Sequence, residues 1–560
     1  MKNRALQVLS SIALMLASTA LVPAASAADG DFAELKAQLA QQQQQIEQLR
    51  KALDEQKKLL EAAIKPADAG STQDRVKPFD VGQVASTSPI IPLGVPLKPA
   101  AIPPAMPVAA AAPQRPEEPP SPLQIHLGEA TITPVGFMDL TNTFRSTNAG
   151  SSLQTNFGSI PYNNGIPGRL TEDKFSAANS RIGFRVDANV KGANILGYYE
   201  GDFVGGVGYP SYNTQVSSNS LLYRIRLYWV DVRKGQVEML AGQSWSMLTP
   251  NRKQISALPA DLFYSQVVDV NYMNGLTWGR IPGIRFLYHP NEKVTAGISL
   301  ENAAQYFGGS GGGGTPVLPA ALSSATVDLR NNELDANVAN GVAIANVHPD
   351  IIGKLAFDPS SHVHFEVAGV ERTVKLFNPI TQMYFTKAGG GGSVNGNFEI
   401  VKNFRLITNN YWSDGGGRYL FGVAPDFIVR ADGSPSLIHS GSTLDGFEVA
   451  INKTALYAYY GGIYIGRNTA YDANGTSLIG YGFRGSANSQ NRTTQEASFG
   501  LTQTLWRDGK YGALQFMLQY AYLFRDPWYV APGAPKNTHE NAIWFNLRYT
   551  LPGTAPTIKY

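Results

Sequence analysis

Apolar and polar residues alternate strictly in the first arm, 181–188, of the stretch from Ser180 to Phe203. There Ile182, Phe184, Val186 and Ala188 alternate with Arg181, Gly183, Arg185 and Asp187. Such period-two alternation predicts a strand with one apolar and one polar face. A second alternating arm follows a short break at 190–192, so the two arms together predict a β-hairpin. Arginines suit the polar face if that face meets water inside a membrane barrel.

The same alternation continues from about Thr131 almost to the end of the chain, and it predicts an all-β transmembrane barrel of about sixteen antiparallel strands. The candidate strands are residues 131–144, 180–189, 193–203, 221–233, 236–245, 283–289, 293–302, 350–358, 362–372, 393–401, 404–413, 444–452, 455–466, 496–506, 510–523 and 540–551. Seven short connections alternate with eight long ones, of which 303–349 is the longest. Tight turns at one end and long loops at the other are typical of outer-membrane barrels.

The last candidate strand shows the two faces clearly. Ile543, Phe545 and Leu547 form an apolar set that alternates with Trp544, Asn546 and Arg548. We expect the first set to face lipid and the second to face the interior. An even number of strands closes an antiparallel barrel and leaves no unpaired edge.

The first 122 residues lack strand alternation and divide into three segments. Residues 1–27 have the basic start, the apolar stretch and the Ala25-Ser26-Ala27 cleavage site of a secretory signal peptide, which predicts export. Residues 28–65 contain an unbroken heptad register from Phe32 to Ala63, which predicts a self-associating periplasmic coiled coil. Residues 66–122 are rich in Pro and Ala and predict an extended linker. The barrel is assigned to 123–560.

Composition narrows the possible chemistry. The 560 residues include no cysteine, so disulfides, thiolate chemistry and cysteine-ligated metals are excluded. A formal net charge of +3 gives no reason to expect a nucleic-acid partner. No nucleophile elbow, catalytic carboxylate pair or phosphate loop is present, so we expect neither an enzyme nor a cofactor. The Gly311–Gly314 and Gly389–Gly392 runs are interpreted as flexible loops, and His362 with His364 as structural or solvated residues and not as metal ligands.

Several short segments resemble a known family. Ser180–Arg185 resembles the second strand of Gram-negative trimeric porins. The heptad helix and linker, together with Tyr199–Phe203 and Leu240–Trp245, resemble DcaP-type porins. The resemblance implies a sixteen-stranded trimeric channel in the outer membrane, a third long loop folded inward, and transport of small, often acidic solutes. One departure is that Pro552–Lys559 follow the last strand, although Tyr560 is aromatic; barrels of this family usually end on the last strand with a terminal aromatic residue.

Charged residues on the polar faces are the candidate pore lining. Counted at every second position, opposite the apolar residues of each strand, these are Arg181, Arg185, Glu200, Asp202, Arg224, Arg226, Arg285 and Arg548. Two interpretations remain open, and they can coexist. The charges can set the ion preference of a water-filled constriction, or they can form a salt-bridge network that stiffens the wall.

The third long connection, Ser246–Arg280, is the candidate constriction loop, by position and by the resemblance. Its candidate residues are Arg252, Lys253, Asp261 and Asp269. The alternative is an ordinary external loop.

Three functions are compatible with these patterns. The first is a passive channel for small polar or anionic solutes, with the chain forming homotrimers among outer-membrane lipids. The second is a tether in which the N-terminal helix contacts peptidoglycan or another periplasmic partner. The third is an outer-membrane hydrolase, for which no Ser–His pairing is visible. Sixteen strands favour the channel, because eight strands suffice for an anchor with a filled interior.

Overall fold

The computed structural model describes residues 121–552, apart from gaps at 149–150, 152, 206–221, 260–261, 263–265, 309–313, 323–342, 345–346 and 379, together with the isolated positions 47 and 51. The predicted signal peptide, coiled coil and linker therefore lie outside the described residues. Within the described part, no helix has the length and apolar composition needed to cross a membrane.

Sixteen long strands form the barrel. They are β1 (Ala130–Arg145), β2 (Arg181–Val190), β3 (Ala193–Asp202), β4 (Arg224–Lys234), β5 (Val237–Trp245), β6 (Arg280–Asn291), β7 (Val294–Glu301), β8 (Asp350–Ser360), β9 (Val363–Asn378), β10 (Met383–Val401), β11 (Phe404–Asp414), β12 (His439–Ile451), β13 (Thr454–Ile465), β14 (Asn491–Asp508), β15 (Gly512–Pro527) and β16 (Thr538–Thr550). Each pairs antiparallel with the next, and β16 pairs with β1 to close the sheet. This confirms the predicted sixteen-stranded barrel.

Seven short strands and three 3₁₀ helices accompany the long strands in the described residues. They are the strands Ile125–Leu127, Glu172–Ser176, Ala343–Ile344, Phe427–Val429, Pro435–Leu437, Asn468–Tyr471 and Leu478–Tyr481, and the 3₁₀ helices Pro167–Arg169, Ala320–Leu322 and Gly417–Tyr419. The two ends of the described 121–552 range meet, because the Ser121 hydroxyl donates a hydrogen bond of 3.0 Å to the Pro552 carbonyl oxygen.

The alternation of side chains follows the sequence pattern. On β16, Ile543 and Leu547 remain 41% and 38% exposed on the outer face, whereas Trp544 and Arg548 are buried inside. Tight turns hold neighbouring strands in this register. At the turn between β2 and β3, Lys191 and Gly192 both have positive φ, 51° and 78°, which is the geometry of a hairpin turn whose twist matches its strands.

One predicted connection is wrong. Residues 373–392, expected as a long loop with a flexible Gly389–Gly392 run, belong to the extended strands β9 and β10, which are joined by 379–382 only. The glycines are paired, with Gly391 opposite Val370 on one side and Ser413 on the other. A Cβ on Gly391 would come within 2.8 Å of the Ser413 Cβ, so close packing of neighbouring strands explains the run.

Candidate functional site at the barrel constriction

A network of charged side chains lines the interior of β2, β3 and β4. Cross-strand register places Asp202 opposite both Arg181 and Arg224, so the acidic strand lies between two basic ones. Arg226 donates to Glu200 at 2.6 Å and to Asp202 at 2.7 Å. Arg224 donates to Asp202 at 2.8 Å, and Arg181 Nη1 lies 3.6 Å from a Glu200 oxygen. Five of the predicted lumen residues therefore form one connected group.

Two further arginines extend this group around the wall. Arg548 on β16 pairs with Asp139 on β1 at 2.7 Å, and its guanidinium carbon lies 3.9 Å from the centroid of the Phe137 ring. Arg280, at the start of β6, lies 5.6 Å from the indole rings of both Trp245 and Trp278. We call the eight charged residues the arginine cluster. Its members are Arg181, Arg224, Arg226, Arg280, Arg548, Asp139, Glu200 and Asp202.

The other two predicted lumen arginines do not join the cluster. Arg185 makes a 2.7 Å ion pair with Asp187 and lines a cavity of about 570 Å³ near the short turns. Arg285 donates to the Ser244 hydroxyl at 3.1 Å and to the Trp245 carbonyl at 2.5 Å. Both face inward, as parity predicts, but on separate parts of the wall.

The third long connection folds into the barrel, and its tie to the arginine cluster runs through Tyr272. The Tyr272 hydroxyl accepts a 2.8 Å hydrogen bond from Arg226 Nη2. Its ring packs edge-on against Trp245 at 5.8 Å and against Trp278 at 5.4 Å between centroids. The backbone of Tyr272 lies in the left-handed region with φ 64°, a strained conformation for a bulky residue. Surrounding contacts therefore hold the loop in this position.

On the opposite wall the same loop is held by carboxylates. Arg252 donates to both Glu448 oxygens, at 2.6 and 2.9 Å. The backbone N–H of Asn274 donates to Glu496 at 2.9 Å.

The first part of the loop is tied to β8 and β9 by a lysine. The Lys354 ammonium donates to the Thr249 carbonyl at 2.9 Å and to the Asn251 side chain at 2.8 Å. It also pairs with Glu366 at 2.8 Å, and Glu366 in turn accepts the Asn251 backbone N–H at 3.2 Å. The loop is thus bound to strands on both sides of the interior.

The four candidate loop residues have different environments. Arg252 is buried in its ion pair, whereas Lys253 is exposed. Asp261 lies outside the described residues. Asp269 is buried and accepts backbone hydrogen bonds from Thr155 at 3.2 Å and Asn271 at 2.8 Å. Burial raises the pKa of Asp269 to about 6, against the lowering effect of these hydrogen bonds.

A second inward loop covers the first, and sequence reasoning missed it. After β11, residues 415–438 turn inward, and the Phe421 ring stacks on Trp278 with centroids 5.2 Å apart. Asp426 anchors this loop through a 3.0 Å ion pair with Arg372 and a 2.8 Å hydrogen bond from the Tyr306 N–H. A possible signal was the apolar content of the loop, since Leu420, Val423 and the Phe427–Val429 strand are buried.

The histidine pair takes part in the wall network. His364 lies between Asp358 at 2.9 Å and Glu366 at 3.1 Å, and His362 lies 2.7 Å from Glu399. Among the described residues, no group of three or more His, Asp or Glu is arranged to hold a metal ion.

Sequence reasoning also missed Asp139 and Arg280, which complete the arginine cluster. Asp139 was predicted as part of the first strand. It lies two positions after Phe137, so the two side chains share the inner face of that strand. Arg280 was assigned to the end of a loop, because Pro282 and Gly283 obscure the start of β6.

Comparisons with known proteins identify the fold. No protein-family model and no curated protein matches the sequence. The outer membrane channel DcaP of Acinetobacter baumannii aligns over 75% of this chain and 97% of its own, with 15% identity and a TM-score of 0.55. The anion-selective porin from Comamonas acidovorans aligns over 76% of this chain and 100% of its own, with 11% identity and a TM-score of 0.42. From the likeness to DcaP and the closed barrel, the chain has the sixteen-stranded porin fold that the resemblance implied.

Proposed function

We propose that the protein is an outer-membrane porin, a channel through which small hydrophilic solutes diffuse passively. The observation that carries the proposal is the arginine cluster facing an inward loop inside a closed sixteen-stranded barrel. An apolar outer face and a charged inner face suit a protein with lipid outside and water inside. The exported chain then places its barrel in the Gram-negative outer membrane and its N-terminal region in the periplasm.

We further propose that the channel favours anions, small carboxylates among them. In the arginine cluster five guanidinium groups face three carboxylates, which leaves a surplus of two positive charges. Arg181 and Arg280 each have a buried N–H group without a hydrogen-bond acceptor in the described structure. Such donors favour an anionic solute, and a guanidinium can hold a carboxylate with two parallel hydrogen bonds.

The paired arginines also stiffen the wall, so the two interpretations drawn from the sequence coexist. Arg226, Glu200 and Asp202 are each at most 1% exposed, and Arg226 forms ion pairs with both carboxylates. Removing one charge from such a buried group leaves the others uncompensated. Selectivity then depends most on the less strongly paired members, Arg181 and Arg280.

The assembly proposed with this function is a homotrimer. The heptad register over 32–63 supports self-association, and the number three comes from the resemblance to trimeric porins. A periplasmic or peptidoglycan partner of the N-terminal helix is compatible with this arrangement. Native mass spectrometry of the full chain in detergent should show three copies, and a single chain would refute the trimer.

The reversal potential across a KCl gradient in a planar bilayer tests the channel and its selectivity together. We expect an anion preference in the wild type that falls in the double variant Arg181→Ala with Arg280→Ala, because these are the arginines with unpartnered N–H groups. It should also weaken at high salt, because the Debye length is about 3 Å at 1 M.

The matched control is Lys234→Ala with Lys293→Ala, which removes two positive charges from exposed positions beside the short turns. This control should leave the reversal potential unchanged. Cation preference in the wild type, or an equal shift in both double variants, would refute the selectivity assigned to the arginines. Absence of any conductance would refute the channel.

A further inference from the structure

The interior of the barrel contains a cavity between the inward loop and the short turns. Its volume is about 570 Å³, which is within the range of pockets that hold small ligands. Strands β1 to β6 form its wall, and residues 254–258 of the inward loop contribute to its lining. In the described structure this lining shares no residue with the arginine cluster, so the cavity is separate from the proposed constriction. We call it the turn-side cavity.

Negative charge predominates in the lining of the turn-side cavity. Four carboxylates and two guanidinium groups line it, so with neutral histidines two negative charges are in surplus. Arg285 interacts with two of these carboxylates from outside the lining, and counting it still leaves one negative charge in surplus. The arginine cluster has a surplus of the opposite sign, so the cavity favours solutes that the constriction does not. The charged lining residues are Glu129, Asp187, Asp231, Glu238, Arg185 and Arg233.

The buried and half-buried carboxylates of the cavity differ in how they are paired. Asp187 is held at 2.7 Å by an arginine of its own strand. Glu238 lies 2.9 Å from His289 Nε2 and 3.9 Å from Arg233 Nη1. The Asp231 Oδ1 atom, by contrast, is buried and has no hydrogen-bond donor in the described structure. Asp231 is therefore the carboxylate best placed to accept hydrogen bonds from the ammonium group of a ligand.

A buried hydrogen-bond donor lies on the same strand as Asp231. Trp229 precedes it by two positions, so both side chains lie on the inner face of β4, about 7 Å apart along the strand. Trp229 lines the cavity and is only 4% exposed, and its indole N–H has no acceptor in the described structure. Its ring packs on Tyr198, with centroids 5.4 Å apart. An unpaired donor and an unpaired acceptor favour a ligand that supplies the opposite groups.

Much of the remaining surface of the cavity is apolar. Leu196 on β3, Leu240 on β5 and Ile255 in the inward loop line it. Leu240 and Ile255 are each 2% exposed. Because these side chains belong to three different elements, an apolar group of a ligand would be covered from more than one direction. Apolar lining with a few polar groups is typical of small-molecule sites.

From these observations we propose that the turn-side cavity binds small organic ammonium compounds that carry an oxygen acceptor and an apolar group, such as the amides of apolar amino acids. The ammonium group donates to Asp231, the oxygen accepts from Trp229, and the apolar group contacts Leu240 and Ile255. Exposed Glu129 lines the same cavity and attracts a cation toward it. The proposal goes beyond the channel function, because it assigns a site for cations to a barrel whose constriction is proposed to favour anions.

Isothermal titration calorimetry of the full-length protein in detergent tests the proposal with two ligands. The first is leucinamide, at about pH 7, where most of an α-amino group is protonated. The second is 4-methylpentanamide, which has the same apolar group and amide but no ammonium. We expect leucinamide to bind about tenfold more tightly, because only it donates charged hydrogen bonds to a carboxylate. Equal affinities would overturn the role of the carboxylate, and no binding of either ligand would show that the cavity holds only water.

Substitutions locate the site. Asp231→Asn keeps the size of the side chain and removes its charge, and Trp229→Phe keeps an aromatic ring and removes the N–H. The matched control is Glu292→Gln, which removes the same charge from an exposed position in the short turn between β6 and β7, outside the lining of the cavity. We expect the affinity for leucinamide to fall about tenfold in Asp231→Asn and about threefold in Trp229→Phe. It should be unchanged in the control.

An equal loss of affinity in Asp231→Asn and Glu292→Gln would overturn the site, because it would show a general attraction of cations to this end of the barrel. Unchanged affinity in Asp231→Asn would overturn it as well. Circular dichroism of each variant checks that the barrel has formed. If Asp231→Asn does not fold, Trp229→Phe and the comparison of the two ligands on the wild type decide: equal binding of the ligands, or full affinity in Trp229→Phe, would refute the proposal.

Discussion

The two sides of the barrel interior use charge in opposite ways. On β1 to β4 and β16 the guanidinium groups are bound by carboxylates of the same wall, as in the pairs of Arg226 with Glu200 and Arg548 with Asp139. On β8 to β14 the carboxylates bind the inward loop, as Glu448 and Glu496 do. The basic side thus has guanidinium N–H groups, on Arg181 and Arg280, without a hydrogen-bond acceptor in the described structure. On the acidic side, the carboxylates of Glu448 and Glu496 accept hydrogen bonds from the loop. In the proposed channel, selectivity is assigned to the basic side, while the acidic side supplies carboxylates that hold the loop in addition to its Tyr272–Arg226 contact with the basic side.

Removing a buried guanidinium from the basic side should give the largest loss of stability. Arg226→Ala leaves Glu200 and Asp202 buried with fewer partners, and loss of one member of a buried ion pair costs about 3–5 kcal/mol. We expect the midpoint of urea unfolding in lipid vesicles to fall accordingly. Arg224→Ala is the matched control, because its side chain is 31% exposed and pairs with Asp202 alone; it should cost much less. Equal losses would show that burial of the network is not what stabilises this wall.

Neutralising a carboxylate on the acidic side should loosen the inward loop and lower the stability of the barrel less than Arg226→Ala does. Glu448→Gln weakens two charge-assisted hydrogen bonds from Arg252, each worth about 1.5–3 kcal/mol, but keeps an acceptor oxygen. We expect faster proteolysis of the 246–279 segment and larger fluctuations of single-channel conductance. Unchanged proteolysis would refute the anchoring role.

The control for this release is Glu399→Gln. Glu399 is also buried and faces inward, and its partners His362, Asn403 and Arg405 lie in the strands and short turns of the barrel and not in the inward loop. The variant should therefore leave the loop as protease-resistant as in the wild type.

Protonation of Asp269 offers a reversible way to vary how firmly the loop is held. Because burial raises its pKa to about 6 from 3.8, the folded state binds the proton more tightly than the unfolded chain does. The associated stability is full below about pH 4 and falls as pH rises to about 6, by up to about 3 kcal/mol at 1.4 kcal/mol per pKa unit. Loop proteolysis should therefore be slower at pH 4.5 than at pH 7.5. In Asp269→Asn this pH dependence should disappear; if it persists unchanged, another group is responsible.

The contrast between the two sides explains what the sequence could predict. Strand alternation depends on neighbours two positions apart, so it located Arg181, Glu200 and Arg226 on the inner face and predicted all sixteen strands. It also found the short turns, whose geometry is local. The interleaving of acidic β3 between basic strands followed from chain order alone.

The partners of the loops depend on long-range packing, which a single sequence does not display. Glu448 meets Arg252 across 196 positions, and Trp278 meets Phe421 across a comparable separation. The Gly389–Gly392 run resembles a loop in composition, and only the close approach of β9 and β11 makes it a strand. The second inward loop was missed for the same reason.

The smallest effects on loop stability are expected from two tyrosine variants, one on each side of the interior. Comparing them tests whether the two sides have different roles. Tyr272→Phe removes the acceptor for Arg226 Nη2, and Tyr459→Phe removes a donor to Glu448 at 2.7 Å together with the acceptor of the Gln266 N–H. A hydrogen bond between neutral groups is worth about 0.5–1.5 kcal/mol and one to a charged group about 1.5–3 kcal/mol. Both variants should therefore loosen the loop modestly, and Tyr459→Phe, which loses two bonds, should do so more than Tyr272→Phe, which loses one.

Their effects on selectivity should differ. Tyr272→Phe leaves the Arg226 Nη2 group without this acceptor and should increase the anion preference measured by reversal potential. Tyr459→Phe leaves the charge of the arginine cluster unchanged and should not shift it. If both variants shift the reversal potential equally, selectivity follows the position of the loop and not the arginines, and the division of roles between the two sides is wrong.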